Sequence, residues 1–347
     1  MYTEASFSNL AIKGTWRKAL AEVANFGLAQ KTWSAYSTAG KMLEKCSNET
    51  GISMAFPLSE SDILTFVAWL LDRNLAASTI ETYLSGLRQV HLVNNVSLPI
   101  LRTPLVSQIL EGKKHIDTQE KRSGSRPVRL PVTPSILKLL KEELRLSDLE
   151  ANLKLLLWAT ATICFFGALR IHELLSRRER SYDPHCTLLA RDIKLKAINI
   201  NGKKTQILQL RLKSEKTDRI GADTILDIYE SGGPLCPLKA FSKWAKSRPC
   251  SRMDGPAFVQ PDGTPLTGEK FNAHLKSFLS KHLDYGKGKV TSHSFRSGMA
   301  SLVAKLGYTD DELKAVGRWS SDAFNAYVKL PRTRRLQMAR EIGKFGL

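Results

Sequence analysis

Residues 291–330 read TSHSFRSGMASLVAKLGYTDDELKAVGRWSSDAFNAYVKL, and this stretch decides how the rest of the chain is interpreted. Ser292 is a suitable N-cap, so His293 and Arg296 fall in the first turn of a predicted helix, three residues apart on one face. The positive end of the helix dipole adds to their charge, which predicts an anion site. The alternative is a surface histidine and arginine at an ordinary helix start.

Two aromatic residues follow in the same stretch. Gly317-Arg318-Trp319 continues from Leu313 and Val316 at helical spacing, and Tyr327 comes eight residues after Trp319. An indole N–H and a phenol hydroxyl both find hydrogen-bond partners when they are buried, so both suit a polar site. Each also has a simpler interpretation, with Trp319 as core filler and Tyr327 as a half-buried helix residue whose hydroxyl stays in water.

An arginine interrupts an apolar helix far upstream, in the stretch FGALRIHELL at 166–175. Arginine is almost never buried without a partner, so Arg170 requires one. Glu173 lies one turn later and can hold the guanidinium group. The pair is either a structural ion pair or a means of presenting Arg170 to a ligand phosphate.

The composition describes a folded and strongly basic protein. The chain has 347 residues, of which 42% are hydrophobic, and 52 Lys and Arg against 33 Asp and Glu give a net charge of +19. Collagen, coiled-coil and disulfide-scaffold classes are excluded, and the length allows two domains. The basic residues are spread over the whole chain, which favours nucleic acid over a membrane surface as the partner. A merely well-solvated surface is the remaining alternative.

Metal and membrane sites are not predicted. The five cysteines are an odd number without a CxxC pair, which argues against a zinc ribbon and a secreted disulfide framework. The apolar run at 153–169 is broken by Thr160, Thr162 and Gly167, so we expect a buried core helix rather than a membrane span. The N-terminal residues lack the features of a signal peptide, and we expect an intracellular protein.

Residues 1–112 are predicted to form an all-helical DNA-binding domain. The cap residues at 58–62 precede the apolar run ILTFVAWLL, and 78–81 opens another helix. Basic residues interleave with aromatic ones in this region, as in a DNA-contacting surface; core aromatics with solvated charges are the alternative. The candidate DNA-binding residues here are Lys31, Lys41 and Arg88.

Residues 113–131 are predicted to be a basic linker. The segment from Lys113 to Pro134 contains Gly, Ser and Pro without hydrophobic periodicity, and holds six Lys or Arg against two acidic residues. It is either a strand along a phosphate backbone or a plain solvated tether. Its candidate DNA-binding residues are Lys113, Lys114, Lys121, Arg122 and Arg126.

Residues 132–347 are predicted to form a second domain, mainly helical with a small antiparallel sheet. Thr133-Pro134 opens a helix, and the apolar helix ending near Arg170 follows. The alternation of apolar residues at 207–212 and the turn at Asn201-Gly202 predict a hairpin or a three-stranded sheet. Helices return beyond Pro237. The fold class is therefore α+β with predominant helix.

These elements, taken in order, carry a family resemblance. The A-L-R-x-x-E-L box, a lysine on a β-hairpin, H-x-x-R, G-x-W and a tyrosine about eight residues later resemble the tyrosine recombinases. The resemblance covers roughly 130–340, while the residues before 112 match only as a helical DNA-clamping domain. HSFRSGMAS and GRWSSDAFNAYVKLP are most similar to the recombinases of eukaryotic DIRS-like and Crypton-like mobile elements.

The resemblance implies a set of catalytic roles. Tyr327 attacks a DNA phosphodiester to form a 3′-phosphotyrosine, and Arg170 and Arg296 hold the non-bridging oxygens of that phosphate. His293 takes the tyrosine proton or hydrogen-bonds the phosphate. Trp319 packs against the site and donates its indole N–H to a phosphate oxygen. Glu173 does not contact the phosphate but holds Arg170 and His293 in place.

A hairpin lysine completes the set by protonating the departing 5′-oxygen. Lys213 and Lys216 are both candidates, and the S-x-K-T-D arrangement favours Lys216. Lys213 is then a phosphate contact, counted with the DNA-binding residues, or a strand residue that points outward. The phosphotyrosine keeps the bond energy, so religation needs no ATP, metal or other cofactor.

The resemblance also implies an assembly: a C-shaped clamp on double-stranded DNA, forming a dimer on each site and a tetramer in the synapse. The tail beyond Pro331 docks into a neighbouring protomer or packs on its own domain. Nuclear localisation follows from the likeness to eukaryotic elements. The rival functions are a type IB topoisomerase and a domesticated DNA-binding protein without turnover.

Overall fold

The computed structural model describes residues 1–28, 30–97, 101–122, 128–213, 223–284 and 288–318. The chain divides into two compact units, Met1–Arg126 and Pro127–Leu347. The division falls inside the segment 113–131. The described part is mainly helical with a small antiparallel sheet, which confirms the predicted fold class.

The first unit is helical throughout its described part. A short 3₁₀ helix at Glu4–Phe7 precedes the α-helices, which are α1 (Gly14–Phe26), α2 (Gln30–Thr50), α3 (Glu60–Asp72), α4 (Ala77–Val93) and α5 (Pro104–Arg122). The capping box predicted for α3 is present: Ser59 Oγ accepts from the Asp62 N–H at 3.1 Å, and the Asp62 carboxylate accepts from the Ser59 N–H at 2.8 Å.

Helices α2 and α4 pack closely around the core of this unit. Gly86 permits their approach, because a Cβ at this position would lie 2.6 Å from the Cβ of Ala39. Trp33 is buried, so it belongs to the core. His91 is fully buried; its Nε2 accepts from the Leu58 N–H at 3.1 Å and its Nδ1 faces the Leu87 carbonyl at 2.7 Å. The ring is therefore a satisfied core histidine protonated on Nδ1.

Helix α5 corrects the expectation of an irregular linker that begins at Lys113. The helix continues to Arg122, and its inner face carries Val106, Leu110, Lys113 and Asp117, all buried. Lys113 Nζ lies 3.0 Å from Asp117 Oδ1 and 2.9 Å from Asn74 Oδ1. A charged pair thus occupies helix positions that are usually apolar, which is why no hydrophobic periodicity is visible there.

The described part of the second unit combines helices with two small sheets. Its elements are β1 (Val128–Arg129), α6 (Pro134–Leu146), α7 (Ala151–Phe166), α8 (Ile171–Leu174), β2 (Ile193–Ile200), β3 (Lys203–Leu212), β4 (Thr224–Tyr229), α9 (Pro237–Lys246), α10 (Gly268–Leu279), β5 (Gly288–Lys289), α11 (His293–Leu306) and α12 (Asp310–Gly317). Strands β1 and β5 pair in parallel, whereas β2, β3 and β4 form an antiparallel sheet in that order.

The predicted hairpin is formed by β2 and β3. Asn201 and Gly202 both adopt positive φ, at 51° and 79°, and Ile200 pairs with Lys203 across the turn. A two-residue turn with this backbone matches the twist of an antiparallel pair. The sheet has a third strand, β4, so the three-stranded alternative is the one observed.

Helix α7 is the centre of the second core. Its apolar residues from Leu156 to Phe165 are buried except for the half-buried Trp158, which confirms the prediction of a core helix at 153–169. Around it pack the inner side chains of β3 and the stacked rings of Trp244 and Phe258, whose centroids lie 4.9 Å apart. None of the described helices has the length and apolar character needed to cross a membrane.

Helix α11 is held against the segment that leads into α6. The Val132 N–H donates to the Ser294 carbonyl at 2.9 Å, and a Cβ on Gly298 would lie 1.9 Å from the Val132 carbonyl oxygen. Thr133 caps α6 by accepting from the Ile136 N–H at 3.2 Å, as predicted. These contacts fix the start of α11, where His293 and Arg296 lie.

Candidate active site

The candidate site begins at the tight turn after α7. Ala168 adopts φ +45°, and Arg170 then forms the N-cap of the short helix α8. Its backbone N–H donates to Glu173 Oε2 at 2.8 Å, and its Nη1 donates to Glu173 Oε1 at 2.8 Å. The Glu173 side chain is 2% exposed. The predicted pair between Arg170 and Glu173 is therefore present, and it is buried on the carboxylate side.

Arg296 reaches this turn from α11. Its side chain is buried, with Nη1 donating to the Ala168 carbonyl at 2.6 Å and Nη2 donating to the Gly317 carbonyl at 2.5 Å. A guanidinium group carries five N–H donors in a rigid planar fork, so it can donate to two separate carbonyls in fixed directions. The fold thus brings Arg296 to the backbone that carries Arg170.

His293 is the first residue of α11 and its side chain is exposed. Ser292 precedes the helix as predicted, but it makes no side-chain cap and has helical backbone angles. Its N–H instead donates to Asn272 Oδ1 at 2.7 Å, and Ser294 Oγ accepts from the Thr291 N–H at 3.0 Å. The prediction of Ser292 as a side-chain cap is wrong, because Ser292 is buried against α10.

His172 lies beside His293, a neighbour that sequence reasoning missed. The two ring centroids are 6.3 Å apart and the planes are nearly perpendicular, at 77°. His172 lies between Arg170 and Glu173 in the sequence, which was the available signal. The site therefore presents two imidazole rings next to the pair of Arg170 and Glu173.

Arg318 is a second residue that sequence reasoning missed. It ends α12 with φ +52°, and its Nη1 donates to the Gly167 carbonyl at 2.9 Å while its Nη2 donates to Glu173 Oε2 at 3.0 Å. Its position between Gly317 and Trp319 could have indicated a role in the site, but the sequence analysis assigned a role only to Trp319 in this triplet. Three guanidinium groups, those of Arg170, Arg296 and Arg318, thus converge on one turn and one carboxylate.

The thiol of Cys164 adds no negative charge beside Glu173. Burial raises the pKa of the neighbouring Cys164 thiol far above its ordinary value, and the negative charge of Glu173 acts in the same direction. The thiol therefore stays neutral. Arg170 and Arg318 donate to the Glu173 carboxylate, whereas Arg296 donates to the carbonyls of Ala168 and Gly317. Such a cluster is suited to an anion.

Lys213 forms an ion pair with a buried aspartate. Its Nζ lies 3.2 Å from Asp192 Oδ1, and the two side chains are 13% and 2% exposed. Asp192 Oδ2 also accepts from the Leu189 N–H at 3.0 Å. Lys213 therefore does not point outward from its strand but compensates a buried carboxylate, and its role as a phosphate contact stays a prediction. Lys216 lies outside the described residues.

Several other predicted residues also lie outside the described part. They are Trp319, Tyr327, Arg126 and the side chains of Lys31, Lys121 and Arg122.

The remaining basic candidates lie in the first unit. Lys41 and Arg88 are exposed. Lys113 is buried in its ion pair, so it does not offer its ammonium group at the surface as predicted. Lys114 is paired with Glu111 at 2.6 Å and Glu81 at 3.2 Å, and the first of these raises its pKa.

Comparison with known proteins rests on structure, because no protein-family model and no curated protein sequence matches the chain. The integrase of the transposon Tn1549, in complex with transposon right-end DNA, superposes with a TM-score of 0.59 at 15% identity, over 90% of this chain and 94% of the integrase chain. The XerH site-specific recombinase bound to palindromic difH gives 0.58 at 13% identity, over 90% and 79%. A lambda integrase dimer bound to a COC′ core site gives 0.55 at 16%, over 88% and 73%.

The chain has the tyrosine recombinase fold. At these identities the likeness concerns the fold. It extends over most of the chain, whereas the sequence motifs were confined to roughly 130–340. The turn after α7 brings Arg170, Glu173 and Arg296 together, and His293 lies beside His172. The catalytic roles that the resemblance implies for these residues stay predictions.

Proposed function

We propose that this protein cleaves and rejoins DNA strands through a 3′-phosphotyrosine intermediate, as the site-specific recombinase or integrase of a mobile element. One observation carries the proposal. Arg296 donates to the carbonyl of Ala168, two residues before Arg170, so that two arginines remote in sequence share one piece of backbone beside an exposed histidine. Such an arrangement supports the proposal of a phosphate-binding site.

The chemistry proposed for the arginines is electrostatic. Attack on a phosphodiester places additional negative charge on the non-bridging oxygens in the transition state. Guanidinium groups fixed beforehand by Glu173 and by backbone carbonyls stabilise this charge without reorganising. A guanidinium group also has five N–H donors in one plane, whereas the lysine ammonium has three donors on a single nitrogen.

The bond changes balance without a cofactor. The Tyr327 hydroxyl oxygen forms a bond to phosphorus as the bond from phosphorus to the 5′-oxygen breaks. His293 takes the tyrosine proton, and Lys216 gives a proton to the leaving oxygen. Attack of a 5′-hydroxyl from a second strand reverses these steps, so the phosphotyrosine supplies the energy of religation. Trp319 donates its indole N–H to a phosphate oxygen.

The proposed substrate is double-stranded DNA. The net charge of +19 supports it, as do the DNA complexes of the Tn1549 integrase and XerH. We propose a dimer on each site and a tetramer in the synapse, in line with the lambda integrase dimer on its core site. The origin from a DIRS-like or Crypton-like element and the nuclear localisation rest on HSFRSGMAS and GRWSSDAFNAYVKLP.

The test needs no knowledge of the target site. A library of nicked duplexes with randomised sequence is incubated with the protein, and covalent adducts are recovered from denaturing gels and sequenced. The nick traps the intermediate because the short 5′-hydroxyl strand diffuses away. We expect an adduct with the wild type and none with Tyr327→Phe. An adduct that persists in Tyr327→Phe overturns the assignment of the nucleophile, and the lack of one in the wild type overturns the proposal.

A second measurement distinguishes the proposed recombinase from a type IB topoisomerase. A topoisomerase relaxes a supercoiled plasmid as a monomer and without paired sites. The recombinase requires two copies of the selected duplex sequence and joins strands between them. Relaxation of a plasmid that lacks the selected sequence, together with no exchange between two copies of it, would favour the topoisomerase.

A further inference from the structure

We infer that Arg318 is a positioning residue of the candidate site: it holds the Glu173 carboxylate, and through it the guanidinium of Arg170, in the orientation that receives a phosphate. The inference rests on the proposed function and adds a residue to its machinery. It starts from the contacts of one side chain that comes from the end of α12.

The Glu173 carboxylate is fully engaged by two arginines. Oε1 accepts from Arg170 Nη1, and Oε2 accepts both from the Arg170 backbone N–H at 2.8 Å and from Arg318 Nη2 at 3.0 Å. The carboxylate is 2% exposed, and the side chain of Arg318 is 13% exposed. Arg170 and Arg318 therefore fix the plane of the carboxylate together. The orientation of this plane in turn determines the direction of the Arg170 guanidinium group.

Arg318 is itself anchored to the turn that precedes Arg170. Its Nη1 donates to the Gly167 carbonyl at 2.9 Å. The residue before it, Gly317, accepts from Arg296, which also donates to the Ala168 carbonyl. The end of α12 thus donates one hydrogen bond to the turn at 167–168, and Arg296 of α11 donates to both of them. Arg318 thus contacts the turn and Glu173, and it directly follows Gly317, which accepts a hydrogen bond from Arg296.

The backbone at Arg318 separates the role of the side chain from that of the helix end. Its φ of +52° is a left-handed conformation that glycine adopts freely and other residues adopt at a cost. Arg318→Gly therefore removes the guanidinium group while it favours the same backbone. Glu173 keeps Arg170 as a partner in this variant, so the carboxylate is not left uncompensated.

The experiment measures single-turnover adduct formation on the nicked duplex selected with the wild type. We expect Arg318→Gly to lower the rate at saturating DNA about 10²-fold, since a small misplacement of a catalytic group has an effect of that order. The DNA concentration at half-saturation and the thermal unfolding midpoint should stay close to those of the wild type. Arg318→Lys keeps the charge but lacks the fork, so it should recover part of the rate.

A double-mutant cycle identifies the path of the effect. If Arg318 acts through Arg170, then Arg318→Gly should have little further effect in an Arg170→Lys background. The control is Arg252→Ala, which removes an exposed arginine paired with Asp254 and should leave the rate unchanged in every background.

The outcomes distinguish the two proposals. A wild-type protein that forms no adduct overturns the proposed function and this inference with it. A wild type that forms the adduct, together with Arg318→Gly at an unchanged rate, overturns the inference alone. Multiplicative effects of Arg318→Gly and Arg170→Lys would also overturn it, because the two arginines would then act independently.

Discussion

Arg296 donates a hydrogen bond of 2.6 Å to the carbonyl oxygen of Ala168, across 128 residues of sequence. This contact ties the start of α11 to the turn that places Arg170. The accepting carbonyl lies two residues before Arg170, so the two arginines are anchored to the same short piece of backbone. The relationship explains how a phosphate could meet both groups in one fixed arrangement.

We expect Arg296→Lys to lower the rate of adduct formation by about 10²- to 10³-fold, the range seen when one preorganised donor is lost. The ammonium group cannot donate in fixed directions to both Ala168 and Gly317. The measurement is single-turnover cleavage of a nicked duplex at saturating DNA. The affinity for DNA, measured by salt titration, should change little because only one of many contacts is altered. A rate equal to that of the wild type would remove Arg296 from the machinery.

We expect Gly298→Ala to destabilise the second unit strongly. A Cβ at this position would lie 1.9 Å from the Val132 carbonyl oxygen, so the backbone of α11 or of the segment before α6 must move. Overpacking of this kind costs about 1–3 kcal/mol and occasionally more. The free energy of unfolding in denaturant measures it.

Gly112→Ala is the matched control for this prediction. Gly112 lies in helix α5 and has no atom within 4 Å of an added Cβ. The substitution should stabilise by about 0.5–1 kcal/mol through helix propensity. If Gly298→Ala behaves like Gly112→Ala, the close approach of α11 to Val132 is not present in solution.

The two hairpin lysines should respond differently to substitution. Lys213→Ala leaves Asp192 buried without its cation, at a cost of about 3–5 kcal/mol, and Asp192→Asn in the same chain should recover much of it. Lys216→Ala should leave stability unchanged and slow cleavage.

A sulfur atom in place of the 5′-bridging oxygen decides the role of Lys216. A thiolate is a far better leaving group than an alkoxide and needs no proton, so the modified duplex should restore cleavage by Lys216→Ala. Restoration in a Lys213 variant instead would reverse the assignment of the general acid.

Acid should weaken the fold through His274. Burial lowers the pKa of this imidazole below its ordinary value of 6.5, and the charge of Lys270 acts in the same direction. The unfolded chain then binds more protons than the folded chain, so stability is lost as the pH falls below about 6.5. The ring stacks on Phe278, with centroids 6.4 Å apart.

His274→Gln tests this titration because glutamine stays neutral. Between pH 7 and pH 5, the unfolding midpoint of the wild type should fall more than that of His274→Gln. A difference that is constant over this range would exclude a contribution from His274.

Local chemistry made some elements predictable. The turn at Asn201-Gly202, the capping box at Ser59 and the pair of Arg170 and Glu173 each depend on residues within a few positions of one another. Their physical requirements are visible in the sequence itself.

Other features depend on contacts that sequence spacing does not reveal. Helix α5 buries Lys113 with Asp117, so its inner face reads as polar and the helix was interpreted as a linker. Arg318 has its partners at Gly167 and Glu173, and nothing near it in the chain points to them. Ser292 has the residue type of a cap, but Asn272 of α10 determines its surroundings.

The shared carboxylate of Glu173 also constrains how this protein can change over evolutionary time. An ancestor that replaced Arg318 would have altered the support of Arg170, and one that replaced Glu173 would have left two guanidinium groups facing each other. We therefore expect the residues at positions 170, 173 and 318 to covary in an alignment of diverged sequences.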